Sequence, residues 1–190
     1  MLFLYRWSGR CLYIRMSIFK QIRDGIGNDF ESDCFWSPYW EENALGELPK
    51  VTTHLAIFVE PFLDYILEGK KTIESRFSIR RTPPFDVARK GDIIFLKRTS
   101  GPIVGVCKAE NVWHYDLDPT TLEELRNKYA VALCADDPEF WAVRADAAFA
   151  TLIRISNVKP LRDIDIKKND PRGWAVLKRK TNQLRLWDDE

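Results

Sequence analysis

Lysine, glutamate and arginine crowd the stretch EGKKTIESR at residues 68–76, which carries Lys70, Lys71, Glu74 and Arg76. A lysine withdrawn from water loses its proton more readily and can act as base or nucleophile. A carboxylate three residues on can pair with it or shuttle a proton. Arg76 adds a planar fork suited to phosphate or carboxylate. A solvated face is the competing reading, with Glu74 only tying Lys71 or Arg76 in place, and residue types alone favour it. The backbone around the run decides between the two. A helix does not start naturally here, because Gly69 precedes the run and Thr72 and Ile73 are β-branched. The run reads as the exit of a helix into a strand, and a bend at that joint points Lys71 and Glu74 into one cleft.

Charge supports a local site rather than a global one. The 190-residue chain has 29 Lys+Arg against 28 Asp+Glu, a net +1 that argues against binding by bulk charge. Between Glu68 and Arg98, nine basic residues (70, 71, 76, 80, 81, 89, 90, 97, 98) face four acids (68, 74, 86, 92), a local +5. Arg80, Arg81, Arg89 and Lys90 are therefore candidates to hold an anionic ligand beside the joint. Trp113-His114-Tyr115 closes a predicted strand. A ring exposed there could stack on a base for about 1–3 kcal/mol, or Trp113 could pack under the following helix. His114 is a proton carrier by type or a structural residue.

Metal and cofactor chemistry is not indicated. Cys11, Cys34, Cys107 and Cys134 fit no CxxC or zinc spacing, and His54 and His114 lie far apart. Scattered cysteines read as free thiols of a reducing compartment. The opening MLFLYRWSGRCLYIRM is broken by Arg6, Arg10 and Arg15, too short for a span and without a signal-peptide core. The expectation is a cytoplasmic protein with no membrane contact, whose start at Met16 would make the first fifteen residues an extension. Oligomeric state is not legible.

The elements that must position the joint follow from periodicity. SIFKQIRDGIG reads as a short amphipathic helix ended by Gly25, and FWSPYW as an arm laying Trp36, Tyr39 and Trp40 on the domain. HLAIFVE is a buried strand. PFLDYILEG is a helix with Phe62, Tyr65 and Ile66 on one face, stopped by Gly69. TIESRFSI alternates as a strand. RRTPPFDVARKGD is a loop, DIIFLKR a strand, and IVGVCKAENVWHY a strand or bent pair interrupted at Gly105. DPTTLEELRNKYA is a helix capped by Asp118 or Thr120, and DDPEFWAVRADAA a second, carrying a core Trp141. FATLIRISNVKPL is a strand ending at Pro160, and GWAVLKRK a last strand whose Trp174 closes the fold. With no βαβ rhythm, the expectation is α+β: a small mixed or antiparallel barrel with flanking helices. Residues 1–50 are an N-terminal extension, 51–178 the domain and 179–190 a tail.

The spacing Gly69-x-Lys71-x-x-Glu74-x-Arg76 after a short helix, Lys90-Gly91-Asp92 before an apolar strand, and Arg172-Gly173-Trp174 opening the last strand resemble the ASCH family, a branch of the PUA-like barrels. The resemblance covers roughly residues 54–177. It implies a barrel whose cleft carries the motif residues and binds RNA or another nucleic acid. Small members include an amidohydrolase of N4-acetylcytidine and ribonucleases. Lys71 matches the amidohydrolase's catalytic lysine, but that type has threonine where this chain has Glu74; Glu123 or Glu124 would have to supply its carboxylate.

The expected partner is therefore RNA or single-stranded nucleic acid, or a nucleoside, with no cofactor. Arg76 and Lys70 would meet phosphate, and Lys71 and Glu74 would read the base. Arg80, Arg81, Arg89, Lys90 and Arg172, with Trp113, His114 and Tyr115, would complete the surface. The rival is a metal-independent hydrolase of an acylated nucleoside, or a ribonuclease, with Lys71 activated by Glu74. A third reading is a protein-interaction module built on the FWSPYW arm.

Overall fold

The structure, a computed structural model, describes residues 9–45, 49–167 and 172–181, with side chains from Ile18 onward. Helix α1 (Gly9–Ile26) buries Ile18, Phe19, Ile22 and Ile26 on one stripe. It starts earlier than SIFKQIRDGIG predicts and passes through Gly25, where an added Cβ would stand 2.5 Å from Ile164 Cγ2. Only a residue without a Cβ lets the helix approach the sheet so closely. Helix α2 (Trp36–Trp40) and a π-helical turn (Glu41–Leu45) follow. Trp36 and Trp40 are buried with α1 in a core that includes Leu55, Phe95 and Val106. The FWSPYW aromatics are thus packing groups, not an open stacking platform.

Among the described residues, six strands form one curled, mixed sheet in the order β2-β5-β4-β3-β1-β6. They are β1 (Thr53–Phe58), β2 (Ile73–Ser78), β3 (Ile93–Arg98), β4 (Ile103–Asp116), β5 (Phe149–Ile164) and β6 (Trp174–Lys178). Only β1 and β3 pair in parallel; the other neighbours are antiparallel. Strands β4 and β5 form the spine, and three register shifts along their pairing bend the sheet into a half-barrel. This is the α+β barrel-like fold that the periodicity implies.

Two expectations about the spine change. Strand β4 runs through Gly105 as one strand, although its pairing with β5 shifts register between Ile103 and Gly105; the glycine makes room for Leu67 of the neighbouring helix, whose Cδ2 a Cβ there would meet at 2.9 Å. Strand β5 does not end at Pro160. The proline sits opposite Gly105 beside a register shift, where a missing N–H is tolerated.

Helix α3 (Phe62–Leu67) buries Leu63 and Ile66 inside the half-barrel, leaving Phe62 and Tyr65 half-buried. Gly69, at φ +76°, turns the chain toward β2. Helix α4 (Pro119–Leu133) is capped by Asp118, whose Oδ1 accepts from Thr121 N at 2.7 Å. With the short α5 (Pro138–Ala142), it covers the outer end of β2, β4 and β5 through Leu125, Tyr129, Leu133 and Trp141. Among the described residues, no helix is long and apolar enough to cross a membrane.

Candidate functional site

Strand β2 is one edge of the sheet and β6 the other, so the half-barrel has an open seam between them. The charged joint lies on that seam. The turn after α3 is fixed by Lys71 N donating to Tyr65 O and Thr72 N donating to Ala132 O, at 2.9 and 3.0 Å. This aims Lys71 inward, where it is 2% exposed. Its Nζ donates to Leu133 O at 2.9 Å, lies 3.5 Å from Glu74 Oε2, and stands 5.3 Å from the Phe62 ring centre. Burial pulls the Lys71 ammonium below its ordinary value near 10.5; Glu74 pulls the other way.

Glu74 is itself buried, and its other oxygen lies 2.8 Å from Arg76 Nε. That contact is an ion pair off the N–H direction, so Nε has no aligned acceptor. The rest of the guanidinium spans the seam: Nη2 donates to Ile57 O of β1 at 2.9 Å, and Nη1 to Gly173 O, just before β6, at 3.3 Å. Its carbon sits 4.9 Å from the Phe58 ring centre and 5.4 Å from that of Trp174. One carboxylate therefore couples a buried lysine to an arginine that joins the two edges.

The three residues line a cleft of about 420 Å³ together with Phe62, Phe77 and Phe140. That volume is in the ~300–1,000 Å³ range of small-molecule sites. Val59 and Val143, both exposed, form part of its lip. Arg144 forms another wall, its guanidinium carbon 3.6 Å from the Phe140 ring centre, and burial lowers its affinity for its proton. Glu74 is the one acid among the lining residues, against Lys71, Arg76 and Arg144. The cleft combines flat apolar walls with a cationic floor holding one fixed acceptor.

The third motif segment joins the site from behind. Asp92 Oδ2 lies 2.9 Å from His54 Nε2, and Trp174 Nε1 donates to His54 Nδ1 at 3.2 Å. Since Nδ1 accepts, Nε2 carries the hydrogen and donates to Asp92. Asp92 also accepts from Thr52 N and Arg89 N. A buried chain thus runs Asp92–His54–Trp174, and the Trp174 face supports Arg76.

Other predicted residues lie elsewhere. Lys70 is on the surface, paired with Glu68 at 2.6 Å. Arg81 pairs with Asp116 at 3.0 Å and Asp86 at 3.6 Å. Arg89 donates to Ala88 O and Asp86 O and meets His114 Nε2 at 3.0 Å. Arg80 and Lys90 are exposed, as is Arg172, which adjoins the Gly173 end of the seam. Trp113 and Tyr115 point toward α4, with the Trp113 ring 5.9 Å from Tyr129. His114 faces the other way, half-buried against Phe85 and Thr151, and burial lowers its proton affinity. Glu123 and Glu124 are exposed on α4 and do not line the cleft. Sequence reasoning missed Phe62, Phe77, Phe140 and Arg144 as walls; the Phe140–Arg144 spacing of four, a helical neighbour distance, was the available signal. Among the described residues, no group of three or more His, Cys, Asp or Glu is placed to hold a metal ion.

The fold and the seam site define a small PUA-like domain. The chain belongs to the ASCH domain family, whose model matches residues 57–162. Its fold is similar to the crystal structure of an ASCH protein from Zymomonas mobilis, at 18% identity and a TM-score of 0.54, covering 66% of this chain and 87% of that one. A serine-to-alanine mutant of the Zymomonas mobilis protein gives 18% identity and a TM-score of 0.55, covering 69% and 92%. No curated protein matches by sequence.

Proposed function

We propose that the seam cleft binds one unpaired nucleotide unit of a single-stranded nucleic acid, RNA in the first instance. The observation that carries this is the pairing of aromatic walls, Phe62, Phe77 and Phe140, with a floor of Lys71, Glu74 and Arg76. A base presents a π-face to such walls and both donors and acceptors at its edge. Glu74 accepts from a base amino or imino group, Lys71 donates to a carbonyl, and Arg76 and Arg144 attract the phosphate.

One observation favours a second reading, metal-independent hydrolysis of an acylated base. Burial lowers the proton affinity of Lys71, which favours the neutral amine that base or nucleophilic catalysis requires. Binding of short RNA and DNA oligomers to the wild type, Lys71→Ala and Arg144→Ala, with analysis of the products, tests both. The binding reading expects wild-type affinity that falls at least tenfold in each variant, with the oligomer intact. Lysine-dependent cleavage, or release of acetate from an N4-acetylcytidine oligomer, would replace it with the hydrolase. No binding by the wild type would overturn it.

A further inference from the structure

A second cavity, of about 190 Å³, opens on the far side of Arg76 and Phe77, which line it as well as the main cleft. The two spaces therefore adjoin across one guanidinium and one ring. We propose that the second cavity is the subsite for the linking phosphate and the sugar of the neighbouring nucleotide, next to the nucleoside held in the main cleft. The ligand is then a step of a strand rather than a free nucleoside. This rests on the nucleotide reading above.

The lining carries that chemistry. Ser78, Thr82 and Thr151 bring three hydroxyls to a cavity that has no carboxylate among its lining residues, between the rings of Phe85 and Trp174. Hydroxyls donate and accept, which suits the hydroxyls of a pentose and the oxygens of a phosphate alike. Thr151 is 1% exposed, so its Oγ1, 3.3 Å from His114 Nδ1, is held in place. Ser78 Oγ spends its hydrogen on Arg80 O at 2.9 Å and retains its lone pairs as acceptors. The Arg76 Nη1 bond to Gly173 O, at 3.3 Å, is the longer of its two backbone bonds. A phosphate oxygen can take over that N–H with a stronger, charge-assisted bond. Arg81, outside the lining and paired with Asp116 and Asp86, lies over the Phe85 ring, 5.4 Å from its centre. The cavity has less than half the volume of the main cleft.

Titration of the full chain with the four ribonucleosides and with ApA, CpC, GpG and UpU tests the proposal. For the base that binds, the dinucleotide is expected to bind at least tenfold tighter than its nucleoside. Thr82→Val, at an exposed position, should remove most of that gain and leave the nucleoside affinity unchanged. Equal affinities for nucleoside and dinucleotide would overturn the subsite while the main cleft stands, and so would a gain that survives both Thr82→Val and Ser78→Ala. If neither ligand class binds, the nucleotide reading fails and takes the subsite with it.

Discussion

Lys71 is a cation enclosed by protein, and its cost is readable in pH. Between its lowered folded value and its ordinary value near 10.5, the unfolded chain holds a proton that the folded chain has released. Stability from this group therefore rises with pH across that window. Urea midpoints of the wild type and Lys71→Met at pH 7 and pH 10 should show the wild type gaining on the variant as pH climbs. His114 runs the same sign lower on the scale. Burial and Arg89 hold its value below 6.5, so it is neutral in the fold where the unfolded chain is already protonated. Stability should fall as pH drops below 6.5 toward that value, and His114→Gln should flatten the slope. An NMR titration of the ring should find its midpoint under 6.5.

Elements explain why three short motifs occur together. The 69–76 joint, the Lys90-Gly91-Asp92 turn and the Arg172-Gly173-Trp174 segment meet through Asp92, His54, Trp174 and Arg76. His54→Leu removes the group between Asp92 and Trp174, leaving a buried carboxylate short of a donor and an indole N–H without an acceptor. It should cost about 3 kcal/mol in chemical denaturation and weaken oligonucleotide binding through Arg76. Gly25→Leu should lift α1 off Ile164, for about 1–3 kcal/mol of overpacking. The same elements show what sequence could convey. Helix α3, strand β2 and the Asp118 cap are written in local patterns of apolar spacing, glycine and capping residues, and the joint was legible for that reason. The continuity of β5 past Pro160 was not, because it depends on Gly105 of another strand lying opposite. Nor was the role of His54: its partners lie 38 and 120 residues away, and a histidine inside an apolar run looks the same whether it is wired or merely buried.

For the whole molecule, near-neutral charge limits how electrostatic any binding can be. A cleft and subsite that engage one or two phosphates predict a slope of about −0.7 to −1.4 for log K against log salt on a single strand. A much steeper slope would place the contacts on the scattered surface arginines instead of the seam.

Arg76 closes that seam with a side chain where a closed barrel would use a strand. Of the two carbonyls it covers, Gly173 O also accepts from Ile57 N at 2.9 Å, whereas Ile57 O lies just past the end of β6, and a free acceptor at a sheet margin can recruit a strand from another molecule. Losing the guanidinium would uncover Ile57 O. Arg76→Ala should therefore make the protein sticky toward itself as well as blind to its ligand, and a light-scattering signal that grows with protein concentration would report it.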